Sequence, residues 1–429
     1  MIIKNGLVFG TDGSFSKKNI IINGERIEDI VQTNSEVCDS KMMDMITDKV
    51  SKDISDDVID AEGMYVIPGL IDIHFHGCVG VDFCDGTIQS LRSISEYELS
   101  NGITSICPAS MSLDEERLTE IFSNAARYVH EQKNLIEKDT LEKSEKIEIS
   151  ESIETPKCIC NEGSRLVGIN MEGPFISPIK KGAQNEEYIC KPDINMFKRL
   201  NEVSEGLIRI VDIAPEEDGA MEFIKNIVGD DTTDIKISLA HTMADYDTAV
   251  MAFGRGADHV THLYNAMRPF DHRSPGVIGA AADCEKVFVE LITDGVHCDD
   301  SVVRTSFKIF GDDRIVFVSD SMEACGMPNG EYELGGQKVY VNGNRATLKD
   351  GTIAGSVTNL MDCMKIAVER MHIPLESVIK CVTQNPAKSI GIFNEYGSID
   401  LRKYADMVIL DNSLEIRSVI SRGRLCFSK

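Results

Sequence analysis

The chain has little positive charge for its length. Its 429 residues include 44 lysines and arginines against 70 aspartates and glutamates, which leaves a formal net charge of −26. Nucleic acids and anionic membrane surfaces are bound through basic faces, so this balance argues against either partner. It does not exclude a small anionic substrate, because a local arginine or histidine can bind a phosphate group within a negative field.

Long apolar segments and paired cysteines are also missing. No stretch approaches the roughly 20 apolar residues of a membrane-spanning helix, and the first residues, MIIKNGLVFG, do not have the apolar segment of a secretory signal. The 13 cysteines are scattered without a C-x-x-C pair, and the closest two are Cys158 and Cys160. We therefore expect reduced thiols in a cytoplasmic protein rather than a disulfide framework.

An alternation of apolar runs and amphipathic segments begins near residue 64. Hydrophobic residues make up 42% of the chain, enough for a sizeable core. The eight apolar runs are 66–73, 103–107, 166–171, 207–213, 235–240, 259–263, 287–292 and 315–318. Most are separated by segments of helical periodicity, such as 88–99 and 217–228. This pattern predicts an α/β fold, a (β/α)8 TIM-like barrel. A doubly wound open sheet is the alternative, but it would need a glycine-rich phosphate loop where the first run ends in HFHG.

The two ends of the chain differ from its middle. Residues 1–63 and 395–429 contain short strand-like runs separated by turn residues. They predict a small β-sandwich domain formed by both ends, beside a barrel domain at 64–394. The other predicted segments are two polar, charged surface insertions, 32–57 and 131–164, and two helices, 358–371 and 375–390.

Histidines and carboxylates stand at the ends of several apolar runs. His74 and His76 follow the first run, and because side chains alternate along a strand both point the same way. The other candidates are Glu172, His241, His262, His297 and Asp320. In a (β/α)8 barrel the carboxyl ends of the strands form one rim, so these side chains are expected to meet there. One such residue alone is more often a satisfied polar group, but the set suits a divalent ion such as Zn²⁺, Fe²⁺, Mn²⁺ or Co²⁺, or two ions bridged by Glu172.

Four motifs carry a resemblance to a known family. PGLIDIHFHG, MEGPFISPIKKGAQN, THLYNAM and the VSD that ends in Asp320 resemble the amidohydrolase superfamily and, within it, the N-acetylglucosamine-6-phosphate deacetylases. The resemblance covers the chain apart from 32–57 and 131–164. It implies hydrolysis of the N-acetyl group of N-acetylglucosamine-6-phosphate to glucosamine-6-phosphate and acetate, in amino-sugar catabolism and cell-wall sugar recycling. Many cyclic-amide relatives bridge their metals with a carboxylated lysine at a strand end; Glu172 would take that place here.

The resemblance also implies roles for individual residues. The matched metal ligands are Glu172, His241 and His262, with His74 and His76 as a second-metal pair that some members have. Asp320 matches the general base and acid that acts with a metal-activated water on the amide carbonyl. The matched substrate contacts are Ala183, Gln184, Asn265, Ala266, Arg273, His297, Thr358, Asn359 and Leu360. One or two divalent ions per subunit, first of all Zn²⁺ or Fe²⁺, and a homodimer with phosphate contacts from both subunits are implied as well. Some members carry a histidine where this chain has Gln184.

Other functions stay open on the sequence alone. A different amidohydrolase, such as a cyclic amidase or a deaminase, would be favoured by an essential lysine at the rim or by indifference to phosphate on the substrate. A non-catalytic paralogue could bind a sugar phosphate and regulate, although the ligand positions and Asp320 are intact. A structural or assembly role has only the charged insertion in its favour. The glucosamine, galactosamine and mannosamine epimers are not distinguished.

Overall fold

The computed structural model describes residues 1–33, 58–142, 163–229 and 234–429, without the side chains of 135–142. Nearly all of the predicted insertion 32–57 and most of 131–164, with Cys158 and Cys160, lie outside the described residues. Ten cysteines fall within them, and each is a free thiol. In this described part of the chain, no helix is long and apolar enough to span a membrane.

A curled parallel sheet occupies the middle of the chain, and its strands coincide with the eight apolar runs. In chain order the strands are Leu70–Asp72, Ile103–Ile106, Arg165–Leu166 with Ile169–Met171, Ile208–Ile213, Lys236–Leu239, His259–Val260, Phe288–Ile292 and Ile315–Val318. Strands that follow one another in the chain pair in parallel, and an isolated bridge between Ala109 and Asn170 joins the two parts of the sheet. The backbone N–H of Asp320 donates to the carbonyl of His74 over 3.0 Å, so the ends of the first and eighth strands also meet.

Helices alternate with these strands. They are Ile88–Ser100, Glu115–Glu142, Ile194–Val203, Ala220–Val228, Tyr246–Gly254, Gly276–Asp283 and Asp300–Phe310, with 3-10 turns at Phe83–Asp85, Pro178–Lys180 and Glu186–Tyr188. After the eighth strand come Leu360–Glu369, Leu375–Val382 and Gln384–Ser389. The predicted helix 375–390 is therefore two helices, because the backbone of Thr383 leaves the helical region, with φ −134° and ψ −73°.

The first predicted run is divided between two sheets. Tyr65–Pro68 pairs antiparallel with a strand near the C-terminus, whereas Leu70–Asp72 pairs in parallel with Ile103–Ile106. Gly69 lies between them, where a Cβ atom would be 2.1 Å from the hydroxyl oxygen of Thr104. Only a residue without a side chain lets the backbone approach that closely, so glycine fixes the point where the chain passes from one sheet to the other.

Strands from both chain ends form one eight-stranded sheet, which we call the terminal sheet. Its strands are Ile2–Phe9, Phe15–Asn23, Arg26–Gln32, Val58–Asp60, Tyr65–Pro68, Met407–Leu410, Ile416–Ser421 and Arg424–Ser428. Tyr65–Pro68 lies at its centre, between Ile2–Phe9 on one side and Met407–Leu410 on the other. Buried side chains such as Val66 and Ile409 form an apolar core on it. The pairing between the chain ends, which the sequence left open, thus exists through this central strand.

A small antiparallel sheet that the sequence analysis did not predict follows the eighth parallel strand. Its strands are Gly330–Leu334, Gln337–Asn342 and Arg345–Thr347, and a second ladder pairs Gly77–Cys78 with Val81–Asp82. Leu334 packs in one apolar cluster with Met111 and Met322. The side-chain amide of Gln337 donates to the carbonyl of Ala183. These contacts hold the small sheet against loops that follow the parallel strands.

Candidate active site

Six histidine and carboxylate side chains gather at the carboxyl ends of the parallel strands. They are His74, His76, Glu172, His241, His262 and Asp320, each no more than 8% exposed. Glu172 directly follows the strand Ile169–Met171, and His241 lies two residues past Lys236–Leu239. Because successive parallel strands end on the same edge of the sheet, residues far apart in the chain share one pit.

Glu172 is the centre of a first ligand group, which also contains His241 and His262. Its Oε1 lies 3.0 Å from Nε2 of His241 and 3.3 Å from Nε2 of His262. The two imidazole nitrogens are 3.1 Å apart. Tetrahedral ligands about 2.0–2.1 Å from a zinc ion sit about 3.3 Å from one another, so the spacing of these three atoms fits a divalent ion.

His74, His76 and Asp320 form a second ligand group beside the first. Nε2 of His76 lies 3.4 Å from Asp320 Oδ1 and 3.4 Å from Glu172 Oε2. Nε2 of His74 is 3.5 Å from Glu172 Oε1 and, although buried, makes no hydrogen bond within the described chain. A buried ring nitrogen beside carboxylates is what a metal ligand requires. The residues therefore fit one divalent ion in each group, with Glu172 between the two.

The charges of the two groups stabilise one another. Burial alone would raise the pKa of Glu172, but His74 and the other ligand histidines hold it well below its ordinary value. Burial alone would also raise the pKa of Asp320, but the hydrogen bond from His76 and the charge of His74 lower it. Asp320 is therefore an ionised carboxylate at neutral pH, the form that accepts a proton.

Three of the ligand side chains leave the backbone at positions that residues other than glycine rarely adopt. The φ angle is +44° at His241, +28° at His262 and +48° at Asp320. Such left-handed conformations cost free energy and persist where the surrounding structure imposes them. Here they occur where a parallel strand has just ended, and the side chains reach the shared pit.

A cavity of about 340 Å³ opens above the two ligand groups. Its wall includes five of the predicted substrate contacts, Ala183, Gln184, Asn265, Ala266 and His297. Apolar side chains complete much of the wall, among them Met111, Ile179, Leu334 and Ile353. A concave site that combines apolar surface with a few fixed polar groups holds a small molecule in a defined orientation.

His297 is held in one orientation by Asp294. Its Nδ1 lies 2.8 Å from Asp294 Oδ2, and its backbone N–H donates to Asp294 Oδ1 over 2.9 Å. The opposite ring nitrogen, Nε2, lies 3.9 Å from Asp320 Oδ2. Burial alone would lower the pKa of His297, but the hydrogen bond and the charge of Asp294 raise it. His297 therefore presents an N–H group beside Asp320 at the cavity wall.

The other predicted substrate contacts lie outside the cavity wall that the described residues form. Arg273 is exposed on a loop. Asn359 caps the helix that follows it, its Oδ1 accepting the N–H of Asp362 over 2.9 Å. Thr358 is 9% exposed beside it, and Leu360 is packed in the main apolar core. A contact between these four residues and a substrate stays a prediction.

Gln184 contacts Glu172, a candidate metal ligand, and also lines the cavity. Its Nε2 donates to Glu172 Oε2 over 2.8 Å, and its Oε1 accepts the backbone N–H of Ser112 over 2.6 Å. The amide is therefore fixed at both ends and fixes the orientation of Glu172 in turn. Some members of the family that the sequence resembles carry a histidine at this position. Here Gln184 occupies it and orients Glu172.

Glu290 is a residue of the site that the sequence analysis did not identify. It lies inside the apolar strand Phe288–Ile292 and is fully buried, with Oε2 2.9 Å from Nδ1 of His74. A carboxylate inside an apolar run is a usable signal, because a buried charge requires a partner. The identity of that partner depends on which strands lie side by side.

Known proteins resemble this chain in both sequence and structure. The amidohydrolase family model matches residues 159–426. The N-acetylglucosamine-6-phosphate deacetylase of Bacillus subtilis (strain 168) is 33% identical over 390 residues, 91% of each chain. The N-acetylgalactosamine-6-phosphate deacetylase of Escherichia coli O157:H7 is 26% identical over 86% of this chain and 89% of that one. The structure of a mutant N-acetyl-D-glucosamine-6-phosphate deacetylase from Mycobacterium smegmatis, in complex with N-acetyl-D-glucosamine-6-phosphate, superimposes with a TM-score of 0.82 at 26% identity and covers 99% of both chains.

Proposed function

This chain belongs to the amidohydrolase family, and from that premise we propose that it hydrolyses the N-acetyl group of N-acetylglucosamine-6-phosphate to glucosamine-6-phosphate and acetate. The observation that carries the proposal is the position of Asp320, an ionised carboxylate that belongs to the second candidate ligand group and also lines the cavity of about 340 Å³. Relatives named for this activity are 28–33% identical over most of the chain.

The chain's own residues supply binding, orientation and proton transfer. Glu172, His241 and His262 would hold one divalent ion, and the second ligand group would hold another. When bound, such an ion polarises an amide carbonyl and lowers the pKa of a water molecule to about 7. Asp320 accepts a proton as a water oxygen attacks the carbonyl carbon, and it delivers that proton to the nitrogen as the C–N bond breaks. His297 donates a hydrogen bond to the carbonyl oxygen as negative charge develops there.

The finer architecture belongs to the same proposal. We infer that the parallel strands within residues 64–394 close into a (β/α)8 barrel and that 1–63 with 395–429 form a separate small domain, whose sheet also takes in Tyr65–Pro68. The hydrogen bonds from Asp320 N to the carbonyl of His74, 3.0 Å, and from His76 N to the carbonyl of Ser321, 2.7 Å, support closure between the first and eighth strands. The apolar core on the terminal sheet supports the second domain.

A homodimer would complete the substrate site. In the resembling family some phosphate contacts come from the neighbouring subunit, and Arg273 here lies outside the cavity of its own chain. Two exposed apolar side chains in this part of the fold support an interface: Phe270, 55% exposed, lies beside Gly279, and Met251, 51% exposed, belongs to the helix that packs against the helix of Gly279. Arg273 of one subunit would then bind the phosphate through its planar guanidinium. Sedimentation velocity tests this; a fully active monomer that still requires the phosphate would contradict it.

The decisive experiment measures acetate release by the purified protein. N-acetylglucosamine-6-phosphate is compared with unphosphorylated N-acetylglucosamine, before and after chelation and with Zn²⁺, Fe²⁺, Mn²⁺ or Co²⁺ added back. We expect release from the phosphorylated sugar, loss of release on chelation and recovery with metal. Absence of release from the phosphorylated sugar by metal-loaded protein would contradict the proposed substrate.

N-acetylgalactosamine-6-phosphate is included as a second candidate substrate. The relative named for that substrate is 26% identical and covers most of both chains. We expect the glucosamine epimer to have the larger kcat/KM, because the relatives named for it are more similar. A larger kcat/KM for the galactosamine epimer would reassign the substrate and leave the chemistry unchanged.

A further inference from the structure

A carboxylate lies buried behind the two ligand groups and contacts a member of each. Glu290 is fully buried. Its Oε2 lies 2.9 Å from Nδ1 of His74 and accepts the backbone N–H of His262 over 3.0 Å. Its Oε1 lies 3.1 Å from Nε2 of His259, a histidine outside both ligand groups. One side chain therefore links the first group to the second.

These contacts determine which nitrogen of His74 is available as a ligand. A neutral imidazole has one ring N–H and one ring nitrogen with a free lone pair. A carboxylate beside Nδ1 favours the form in which Nδ1 carries the hydrogen and donates it in a hydrogen bond to the carboxylate. The lone pair is then on Nε2, which lies 3.5 Å from Glu172 Oε1 and 3.8 Å from Asp320 Oδ1. The carboxylate also polarises the ring, which makes Nε2 a stronger ligand.

The burial of Glu290 indicates that its contacts serve the site. A fully buried carboxylate loses its hydration, and an apolar side chain of similar shape would fill the strand without that cost. Both of its oxygens instead face histidines. The N–H it accepts belongs to His262, whose backbone is in the unfavourable left-handed region at φ +28°. Glu290 therefore holds the backbone of one ligand and the ring of another.

We propose that Glu290 is a positioning residue that presents Nε2 of His74 to a divalent ion and thereby sets the affinity of the second ligand group for that ion. His259 fixes the remaining oxygen of Glu290 and keeps the carboxylate in place. The inference rests on the proposed metal-dependent function and assigns Glu290 a part in metal loading that is separate from the chemical step.

The test is a metal titration of the full-length Glu290→Gln variant, which keeps the size of the side chain and removes its charge. Metal-stripped wild type and variant are titrated with Co²⁺, followed by visible absorption and by elemental analysis of the bound metal. We expect the wild type to bind two equivalents. In the variant the affinity for one equivalent should fall about 10–100-fold, while the other equivalent is nearly unchanged.

Asp212→Asn is the matched control. It makes the same carboxyl-to-amide exchange at another fully buried strand residue, whose Oδ1 accepts the hydroxyl of Thr261 over 2.8 Å. It should bind both equivalents of Co²⁺ as the wild type does. If Glu290→Gln does not fold, Glu290→Asp replaces it, because aspartate keeps the charge but its side chain is shorter by one methylene group. The same selective loss of affinity for one equivalent of Co²⁺ is expected.

The outcomes separate this inference from the proposed function. Four outcomes would each overturn the positioning role. They are wild-type Co²⁺ affinities in folded Glu290→Gln, an equal loss of Co²⁺ affinity in Asp212→Asn, binding of only one equivalent by the wild type, and failure of both Glu290 variants to fold. Acetate release that survives complete removal of metal from the wild type would instead contradict the proposed function. A metal-dependent wild type with two ions and an unaffected variant contradicts only the role of Glu290.

Discussion

At the scale of the single residue, Asp320 faces both the candidate metal-ligand groups and the cavity wall. Its Oδ1 lies 3.4 Å from the ring of His76, and its Oδ2 lies 3.9 Å from the ring of His297. One oxygen therefore faces the ligand groups and the other faces a histidine of the cavity wall. A carboxylate in this position can move a proton between an attacking water and a departing amine.

Asp320→Asn should lower kcat about 10²–10⁴-fold, as the loss of a general base and acid usually does. KM should change much less, because the cavity wall is otherwise intact. Steady-state kinetics on N-acetylglucosamine-6-phosphate, with the metal content measured in parallel, checks this. Asp299→Asn is the control, since Asp299 is an exposed helix cap whose role asparagine can fill. A kcat near the wild-type value in Asp320→Asn would contradict the mechanism.

Gln184→Leu should weaken metal retention about 10-fold, because Glu172 loses the amide that orients it. It should also lower the free energy of unfolding by about 1–3 kcal/mol, because the buried N–H of Ser112 loses its acceptor. Dialysis against a chelator and denaturant unfolding measure the two effects. Gln337→Leu removes an amide that bonds a backbone carbonyl instead of a ligand, and it should retain metal normally. Equal metal retention in both variants would show that Gln184 does not orient Glu172.

At the scale of secondary-structure elements, Gly69 separates two strands that belong to different sheets, Tyr65–Pro68 and Leu70–Asp72. Gly69→Ala would place a Cβ 2.1 Å from the Thr104 hydroxyl oxygen. We expect the free energy of unfolding to fall by about 1–3 kcal/mol or more, since this overpacks a closed site. Chemical denaturation checks the change. Gly254→Ala is the control, because a Cβ there meets nothing within 4 Å and should be tolerated. Unchanged stability in Gly69→Ala would contradict the proposed constraint.

The positions of the parallel strands along the chain are predictable from the sequence. Which segments pair with one another in which sheet is harder to predict. Each predicted apolar run contains a strand of the parallel sheet, because a strand buried on both faces is apolar at most positions. The division at Gly69 is not predictable, because it depends on contact with Thr104, a residue of the next strand. The strands Gly330–Leu334 and Gln337–Asn342 are not among the predicted elements, although Gly335-Gly336 between alternating residues is a hairpin signal.

In the candidate site, too, the positions of the residues are predictable from the sequence, but their contacts depend on the fold. The gathering of Glu172 and Asp320 with the ligand histidines is predictable, because each stands where a strand ends and strand ends share a rim. The partners of Gln184 and Glu290 are not, because each contact joins residues from separate parts of the chain. Sequence identifies which residues reach the rim, and the three-dimensional fold identifies which residues orient them.

At the scale of the whole molecule, buried carboxyl groups make stability depend on pH. Burial raises the pKa of Asp406, which directly precedes the strand Met407–Leu410, from 3.8 to about 6, although the backbone N–H of Arg422 donates to it over 2.6 Å. Between these values the folded state holds a proton that the unfolded state has lost. The resulting stabilisation is complete below pH 3.8 and is lost as the pH rises through about 6.

Asp406→Asn removes this titration, because the amide stays neutral at every pH. The free energy of unfolding of the variant relative to the wild type should therefore rise with pH, by up to about 3 kcal/mol between pH 4 and 7. Denaturant unfolding of both proteins at the two pH values measures the difference. A difference that does not change with pH would show that Asp406 titrates normally in the folded protein.

The terminal sheet has a consequence for how the protein is made. Tyr65–Pro68, the strand that precedes Gly69 and the parallel strand Leu70–Asp72, is held on one side by Ile2–Phe9 and on the other by Met407–Leu410. Residues from the beginning and the end of the chain must therefore meet before that strand is complete, a contact of very long sequence separation, which slows folding. We expect the nascent chain to remain without a finished terminal sheet until residues 407–428 have been synthesised, and to depend on protection from aggregation until then.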